Sequence, residues 1–329
     1  MRVCIIGGSG HASFVFRAMS ADPTIEVVGI APGSEGENTA KFMKEAEKRG
    51  QSPKYYDDYR VMLDELKPDI AAVNCHFGDH AKVNFEVLSR KIHLFGEKPL
   101  ATTMEELAVL EKEYERAGVE VAAMLGLRYD PAFYTAWHAV QDGKIGEVRL
   151  LTAQKSYRLG SRPNFFKNRV SYGGTIPWVG SHAIDWVYWF AGEDFISVMA
   201  HHSAMHNRGL GTMEMTGLCH FEFTNEVFGS VNIDYLRPST AESHGDDRVR
   251  AAGTKGVIEV RGGRVYLISA DQPGTQELPL MQPPAFFAEF VKQVRGEGQC
   301  LVSAKDSFRV TEACLRARES ADTGKMVYF

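Results

Sequence analysis

A Glu-Lys pair stopped by proline, Glu97-Lys98-Pro99, directly follows the apolar run His93–Phe95. If that run is a buried strand of a parallel sheet, Lys98 lies at the strand's carboxyl edge, where such folds bind ligands. An ammonium there can donate to a substrate hydroxyl and stabilise the alkoxide that develops as hydride leaves the same carbon. A solvated lysine at a strand end would look the same in sequence. Near the N-terminus, Gly7-Gly8-Ser9-Gly10-His11-Ala12 follows the apolar run Val3–Ile6. Small residues here allow a tight turn and let the backbone approach a pyrophosphate seated on the next helix. Against the spacing G-x-G-x-x-G the three positions are Gly7, Ser9 and Ala12, so only the first is glycine, although Gly8 and Gly10 keep the loop small. His11 either touches the pyrophosphate or caps the helix. Asn74, Cys75 and His76 follow the run Ile70–Val73 and are read as lining the cofactor side, with Cys75 as packing rather than nucleophile.

These groups require elements that hold them. Val3–Ile6, Glu26–Ile30, Ile70–Val73, His93–Phe95 and Val119–Met124 read as buried strands. Helical periods over Ala12–Met19, Thr39–Lys48, Asp58–Leu66, His80–Ser89 and Met104–Ala117 alternate with them. Such alternation predicts right-handed βαβ units and a parallel sheet. Gly50 and Gly118 stand where helix stops belong. After about Leu127 the pattern changes. A helix over Pro131–Gln141 leads into alternating runs Glu147–Arg158, Phe195–Ser203, Met215–Thr224, Val227–Tyr235, Arg248–Ala252, Val257–Val260 and Val265–Ser269. Helices over His182–Phe190, Ala285–Val294 and Ser303–Ala321 accompany them. Consecutive strands without intervening helices predict a mostly antiparallel sheet. The expected class is therefore α/β: a parallel-sheet dinucleotide-binding domain over 1–127, then an α+β domain with a mostly antiparallel sheet over 128–329.

A length of 329 residues suits two domains of this kind. A net charge of -5 argues against a nucleic-acid binder, which needs a basic face. The five scattered cysteines form no C-x-x-C pair and read as reduced thiols. No apolar stretch approaches the ~20 residues of a membrane span, and no targeting segment is visible, so a cytoplasmic location is expected. The second predicted strand ends in Ile30-Ala31-Pro32-Gly33-Ser34, with no carboxylate to hold an adenosine ribose. A 2′-phosphate would then not be repelled, and Ser34 could donate to it. The expected cofactor is NAD(P), leaning to NADP beside Ala31 and Ser34; looser selection without any phosphate contact explains the same residues.

The motifs together resemble the glucose-fructose oxidoreductase / inositol dehydrogenase / MocA (Gfo/Idh/MocA) family of NAD(P)-dependent sugar oxidoreductases. Glu97-Lys98-Pro99 matches that family's hallmark, and the segment from Pro68 to His80 resembles what precedes it. Arg128-Tyr129-Asp130-Pro131 resembles the join between its domains, and Gly253-Thr254-Lys255-Gly256 and Ser320–Gly324 resemble its second half. The resemblance implies a Rossmann domain followed by an α+β substrate domain with an open, mostly antiparallel sheet, assembly through the outer face of that sheet as a homo-oligomer (dimer or tetramer), Glu97 on the cofactor side, His80 there too unless it simply begins its helix, and Arg128 near the substrate. It also implies a catalytic element in which an aspartate precedes a histidine by four residues and another follows by three. Here His182 and Asp185 match, while Trp178 stands in place of the first aspartate.

Trp178 cannot accept a proton, so His182 becomes the expected proton shuttle. Ser181 is read as the helix N-cap, which puts His182 in the first turn, where the dipole disfavours an imidazolium. Asp185 either orients the ring or accepts hydrogen bonds at the helix start. Trp178 either offers an apolar face to a sugar or belongs to the core. Tyr157 and Arg162 lie in a stretch, Tyr157–Arg169, that mixes aromatics with basic residues; guanidinium forks there suit carboxylate or phosphate groups, although a solvated loop has the same composition. His201-His202 and His206 lack a carboxylate or cysteine nearby in sequence, so no metal is expected.

The leading expectation is an NAD(P)-dependent oxidoreductase acting on a sugar, polyol or sugar derivative, with Lys98 polarising the reacting oxygen. An alternative is a lyase, epimerase or glycosidase that oxidises its sugar transiently and then returns the hydride. A further alternative is a non-catalytic ligand sensor on the same fold. No nucleic-acid or membrane partner is expected.

Overall fold

The computed structural model describes residues 1–329. The chain divides into two compact units: residues 1–124, 170–173 and 284–311, and residues 125–169, 174–283 and 312–329.

In the first unit, strands and helices alternate as β1 (Arg2–Ile6), α1 (Ser13–Ala18), β2 (Glu26–Ala31), α2 (Ala40–Lys48), β3 (Lys54–Tyr55), α3 (Tyr59–Leu66), β4 (Ile70–Val73), α4 (His80–Ser89), β5 (His93–Gly96), α5 (Met104–Ala117) and β6 (Val121–Ala123). The sheet order is β3-β2-β1-β4-β5-β6, and every neighbouring pair is parallel. This is the order of a dinucleotide-binding sheet, with its switch point between β1 and β4. Val3–Ile6 and Ile70–Val73 are completely buried, which is why they read as unbroken apolar runs. Local signals set the helix ends. Thr103 and Glu106 form a capping box on α5, and Gly118 closes that helix in the left-handed region, where glycine costs nothing.

The second unit runs through α6 (Pro131–Gln141), β7 (Val148–Arg158), a short α7 (Arg169–Tyr172) that straddles the division, α8 (Ser181–Ala191), β8 (Phe195–Ser203), β9 (Thr216–Phe223), β10 (Val227–Arg237), β11 (Gly245–Gly253), β12 (Gly256–Arg261), β13 (Arg264–Ser269) and β14 (Gln272–Leu278). The chain then supplies α9 (Phe286–Val294) to the first unit, α10 (Ala304–Thr323) to both, and a final two-residue β15 (Val327–Tyr328) to the second. The nine strands order as β14-β13-β12-β11-β7-β10-β9-β8-β15. All pairs are antiparallel except β7 with β10. One face packs on α6 and α8; Gly180 and Gly229 are glycine because a Cβ would strike Ile233 or crowd Val187 where α8 crosses β10.

The edge strands β3, β14 and β15 escaped the sequence pattern. β14 reads Gln-Pro-Gly-Thr-Gln-Glu-Leu and is largely exposed, so it carries no apolar alternation; its proline is tolerated because one side of the strand is unpaired.

Candidate functional site

In the first unit the turn after β1 is held from beneath. Gly7 has φ +96°, and a Cβ there would strike the backbone at Asn74 and Cys75. A Cβ on Gly8 would collide with the Asn38 carbonyl, and one on Gly10 would lie 2.7 Å from Glu97 Oε2. The Gly7 N–H donates to Ala31 O at 2.8 Å, and those of Ser9 and Gly10 donate to Asn74 O at 2.9 and 3.1 Å. Ala12 is fully buried at the start of α1, with no side-chain cap. Asn74 Oδ1 is buried without a partner, while Asn74 Nδ2 donates to Ala72 O at 3.1 Å. A buried acceptor left open beside a glycine turn fits a site whose ligand brings donors.

His11 does not cap α1. Its backbone N–H donates to Glu97 Oε2 at 3.0 Å, and its Nδ1 lies 2.5 Å from the same oxygen. The Lys98 N–H donates to Glu97 Oε1 at 3.0 Å. Burial alone would raise the Glu97 carboxyl; His11, Lys98 and His80 outweigh it and bring the group down to about 2. Glu97 is therefore a buried anion that ties the glycine turn to the lysine loop.

The rest of that loop is clamped through its backbone. Glu97 N–H donates to Val73 O at 2.8 Å, Asn84 Nδ2 donates to Leu100 O at 3.0 Å, and Leu100 N–H donates to Thr311 Oγ1 at 3.3 Å. His80 is fully buried with Nδ1 2.7 Å from Pro99 O and Nε2 3.2 Å from Cys75 O. Burial holds its pKa below the ordinary value, and a neutral ring donates to one of the two carbonyls. Lys98 thus stands, 3% exposed, on a backbone with little freedom to shift.

One carboxylate was missed. Glu37 folds back from the loop after β2: its Oε2 accepts from the N–H groups of Gly33 and Ser34 at 3.1 and 3.2 Å, and its Oε1 accepts from Ser9 Oγ at 2.6 Å. Glu37 thus brings a carboxylate back to the end of this strand, where the residues Ala31 to Ser34 themselves offer none. Ser34 Oγ, expected to donate to a phosphate, accepts from the His76 N–H at 3.0 Å. The spacing Ser34-x-x-Glu37 was the available signal, since a Glu three residues on commonly bonds back to the backbone.

In the second unit His182 and Asp185 stand on α8 as expected, but its start differs. A π-helical turn, Ile176–Gly180, runs directly into α8, and Ser181 is not an N-cap: its Oγ donates to Trp178 O at 2.7 Å. Helical backbone upstream removes the open N-terminus, so the dipole argument for a neutral His182 loses its basis. Asp185 does not cap the helix start. Arg128 grips it through Nε at 3.0 and 3.1 Å and Nη2 at 2.6 Å, both residues being buried, with the guanidinium 5.3 Å from the Trp189 ring. Arg128 and Asp185, read separately from the sequence, are thus partners in one bidentate pair that fixes α8. His182 is 8% exposed and Trp178 half-buried. The Tyr157 and Arg162 side chains both approach Tyr235.

His202 has carboxylates that are remote in sequence: Nε2 is 3.2 Å from Asp322 and Nδ1 3.7 Å from Glu214. Arg169 pairs with both acids, making an ion-pair network, and Thr175 at the head of the π turn donates its N–H to Glu214 at 2.9 Å. No group of three or more His, Cys, Asp or Glu side chains is arranged to hold a metal. All five cysteines are buried thiols, and no helix is long and apolar enough to cross a membrane.

Residues 1–125 match the oxidoreductase family's NAD-binding Rossmann fold, and residues 133–259 match the GFO/IDH/MocA C-terminal domain. The chain belongs to the Gfo/Idh/MocA oxidoreductase family. Among solved structures of similar fold, a provisionally described oxidoreductase from Thermotoga maritima is 46% identical with a TM-score of 0.96, covering 100% of both chains. Among curated relatives, glycosyl hydrolase family 109 protein 2 of Akkermansia muciniphila is 27% identical over 45% of this chain and 32% of its own length. Inositol 2-dehydrogenase of Salmonella typhimurium is 24% identical over 58% of this chain and 53% of its own. The chain thus spans about a third to about half the length of these curated relatives. In this Gfo/Idh/MocA chain Glu97-Lys98-Pro99 follows β5 directly, and Trp178 falls on the π turn ahead of His182.

Proposed function

We propose that this protein is an NAD-dependent oxidoreductase acting on a sugar, polyol or sugar derivative. The observation that carries the reading is the buried Lys98 on a backbone-clamped loop at the carboxyl end of β5. The residues that would hold the dinucleotide are Gly7 to Ala12, Ala31, Ser34, Glu37, Asn74, His76, His80 and Glu97. The nicotinamide supplies a carbon that accepts or returns hydride. Lys98 donates a hydrogen bond to the substrate oxygen and stabilises its developing charge. His182 takes the hydroxyl proton during oxidation and returns it in reduction. Asp185, through Arg128, keeps α8 and hence His182 in place. Trp178 offers a ring face to the substrate. Glu37 supports NAD over NADP: a carboxylate accepts from a ribose 2′-hydroxyl and repels a 2′-phosphate.

A panel of sugars, polyols and sugar acids, assayed in parallel with NAD and NADP, tests this. Substrate-dependent reduction of NAD is expected; a panel without any change in nicotinamide absorbance rejects the reading. Trp178 in place of an acid favours one second reading, a redox-neutral lyase, epimerase or glycosidase. Product formation without net nicotinamide change would establish it. For self-association we propose the outward face of the second unit's sheet, where exposed Leu150 and Phe228 are register partners on β7 and β10. Sedimentation of Phe228→Lys tests this: a shift to monomer is expected, and an unchanged profile rejects it.

A further inference from the structure

The inward face of β7 carries Leu151, Ala153, Lys155 and Tyr157 at alternate positions, and its third member is a lysine. Lys155 is 1% exposed. Its Nζ bonds to the Asp247 carboxylate and lies 4.8 Å from the Tyr157 ring and 5.3 Å from the Trp186 ring. Trp186 follows His182 by four residues, so the two share a face of α8. This buried amine therefore lies beneath the helix that bears the proposed proton shuttle.

Two further cations stand at the end of the same strand. Arg162 spreads over Tyr235 at 4.7 Å and Phe166 at 5.3 Å, and its Nη2 reaches Arg158 O at 3.4 Å. The Nε atoms of Arg158 and Arg162 are buried and have no hydrogen-bond partner, and neither guanidinium forms an ion pair with a carboxylate. The neighbouring Arg237 and Arg248 differ, since both are paired with Asp246. Lys155 is answered by Asp247, with Asp130 also near, whereas Arg158 and Arg162 are not among the groups acting on either member of that pair. The imidazole of His244 lies 4.9 Å from the Tyr157 ring. Burial, then Arg162, Arg158 and Lys155, hold its pKa below the ordinary value, opposed by Asp247.

A buried donor without an acceptor is costly, and a cation left without a counter-charge adds to that cost. A ligand that brings anionic oxygens removes both costs, and guanidinium forks match carboxylate and phosphate geometry. We propose that Lys155, Arg158 and Arg162 bind an anionic group on the substrate, so that the sugar turned over is a sugar acid or a sugar phosphate. The inference rests on the dehydrogenase reading for the reaction, but not for the binding.

The test measures kcat and KM with NAD for D-glucuronate, D-gluconate and D-glucose 6-phosphate, each beside D-glucose. The same ligands are titrated by calorimetry without cofactor. At least one anionic ligand is expected to exceed D-glucose about tenfold or more in affinity and in kcat/KM, mainly through KM. A carboxylate or phosphate preference within the panel identifies the group. Arg162→Gln should lower that ratio about tenfold, and Arg162→Lys should restore part of it. Anion binding that requires Arg162, but comes without turnover, keeps this inference and rejects the dehydrogenase reading. Turnover of D-glucose equal to that of every anion, or binding of no anion in the panel, overturns the inference.

Discussion

After β5, Glu97 accepts from His11 and from the Lys98 backbone, and the Pro99 carbonyl and both backbone groups of Leu100 have partners. At the end of β7, Lys155 pairs with Asp247, while Arg158 and Arg162 each keep a buried Nε with no acceptor. Both regions present cations at the carboxyl end of a strand, one in each unit. The first spends its polar groups on fixing one lysine in place, as a reacting group requires. The second leaves polar groups unanswered, as a recognition surface requires before its ligand arrives. Breaking an internally satisfied charge should cost stability, whereas removing an open one should cost function.

The largest effect expected is on a satisfied pair. Asp185→Ala removes one half of a buried ion pair and should destabilise the second unit by about 3–5 kcal/mol, read from denaturant unfolding. A midpoint equal to wild type would show that α8 does not depend on this pair. Lys98→Ala and His182→Ala should each lower turnover at least about a hundredfold while cofactor binding, measured by fluorescence titration, is retained. Near-normal turnover in either variant would remove that residue from the mechanism. Glu37→Ser should move the ratio of kcat/KM for NAD over NADP toward NADP by about tenfold, since it removes the carboxylate that repels a 2′-phosphate. An unchanged ratio would leave selection to other groups.

The smallest effect is confined to acid. The folded-state Glu97 carboxyl lies at about 2, below its ordinary 4.5, so the anion stabilises the fold above the ordinary value. That contribution is lost as pH falls from about 4.5 toward 2. Glu97→Gln should therefore flatten the acid limb of a stability–pH curve, and the gap between wild type and variant should close near the lower end. Parallel curves across that range would mean that Glu97 is not held as a buried anion.

The inner strands of the first unit were legible because their residues are buried on both faces and read as unbroken apolar runs, and its helices because their caps are local. The exposed edge strands β3, β14 and β15 were not, since pairing on one side imposes no pattern. At the site, Lys98 and the glycine turn could be placed from chain order alone. The pairings could not. Arg128 and Asp185 are separated by 57 residues, Lys155 and Asp247 by 92, and His11 and Glu97 by 86. Ser181 as an N-cap was a sound local inference that the preceding π turn overrode.

The sequence by itself determined the order of elements, the family and the residue types able to do redox chemistry, because periodicity, caps and turn residues act over a few positions. Only the tertiary structure decided which charges are answered and which stay open. Coulombic and hydrogen-bond partners are chosen by distance in space, and a carboxylate such as Glu37 or a lysine such as Lys155 acquires its role from neighbours that the chain order does not reveal.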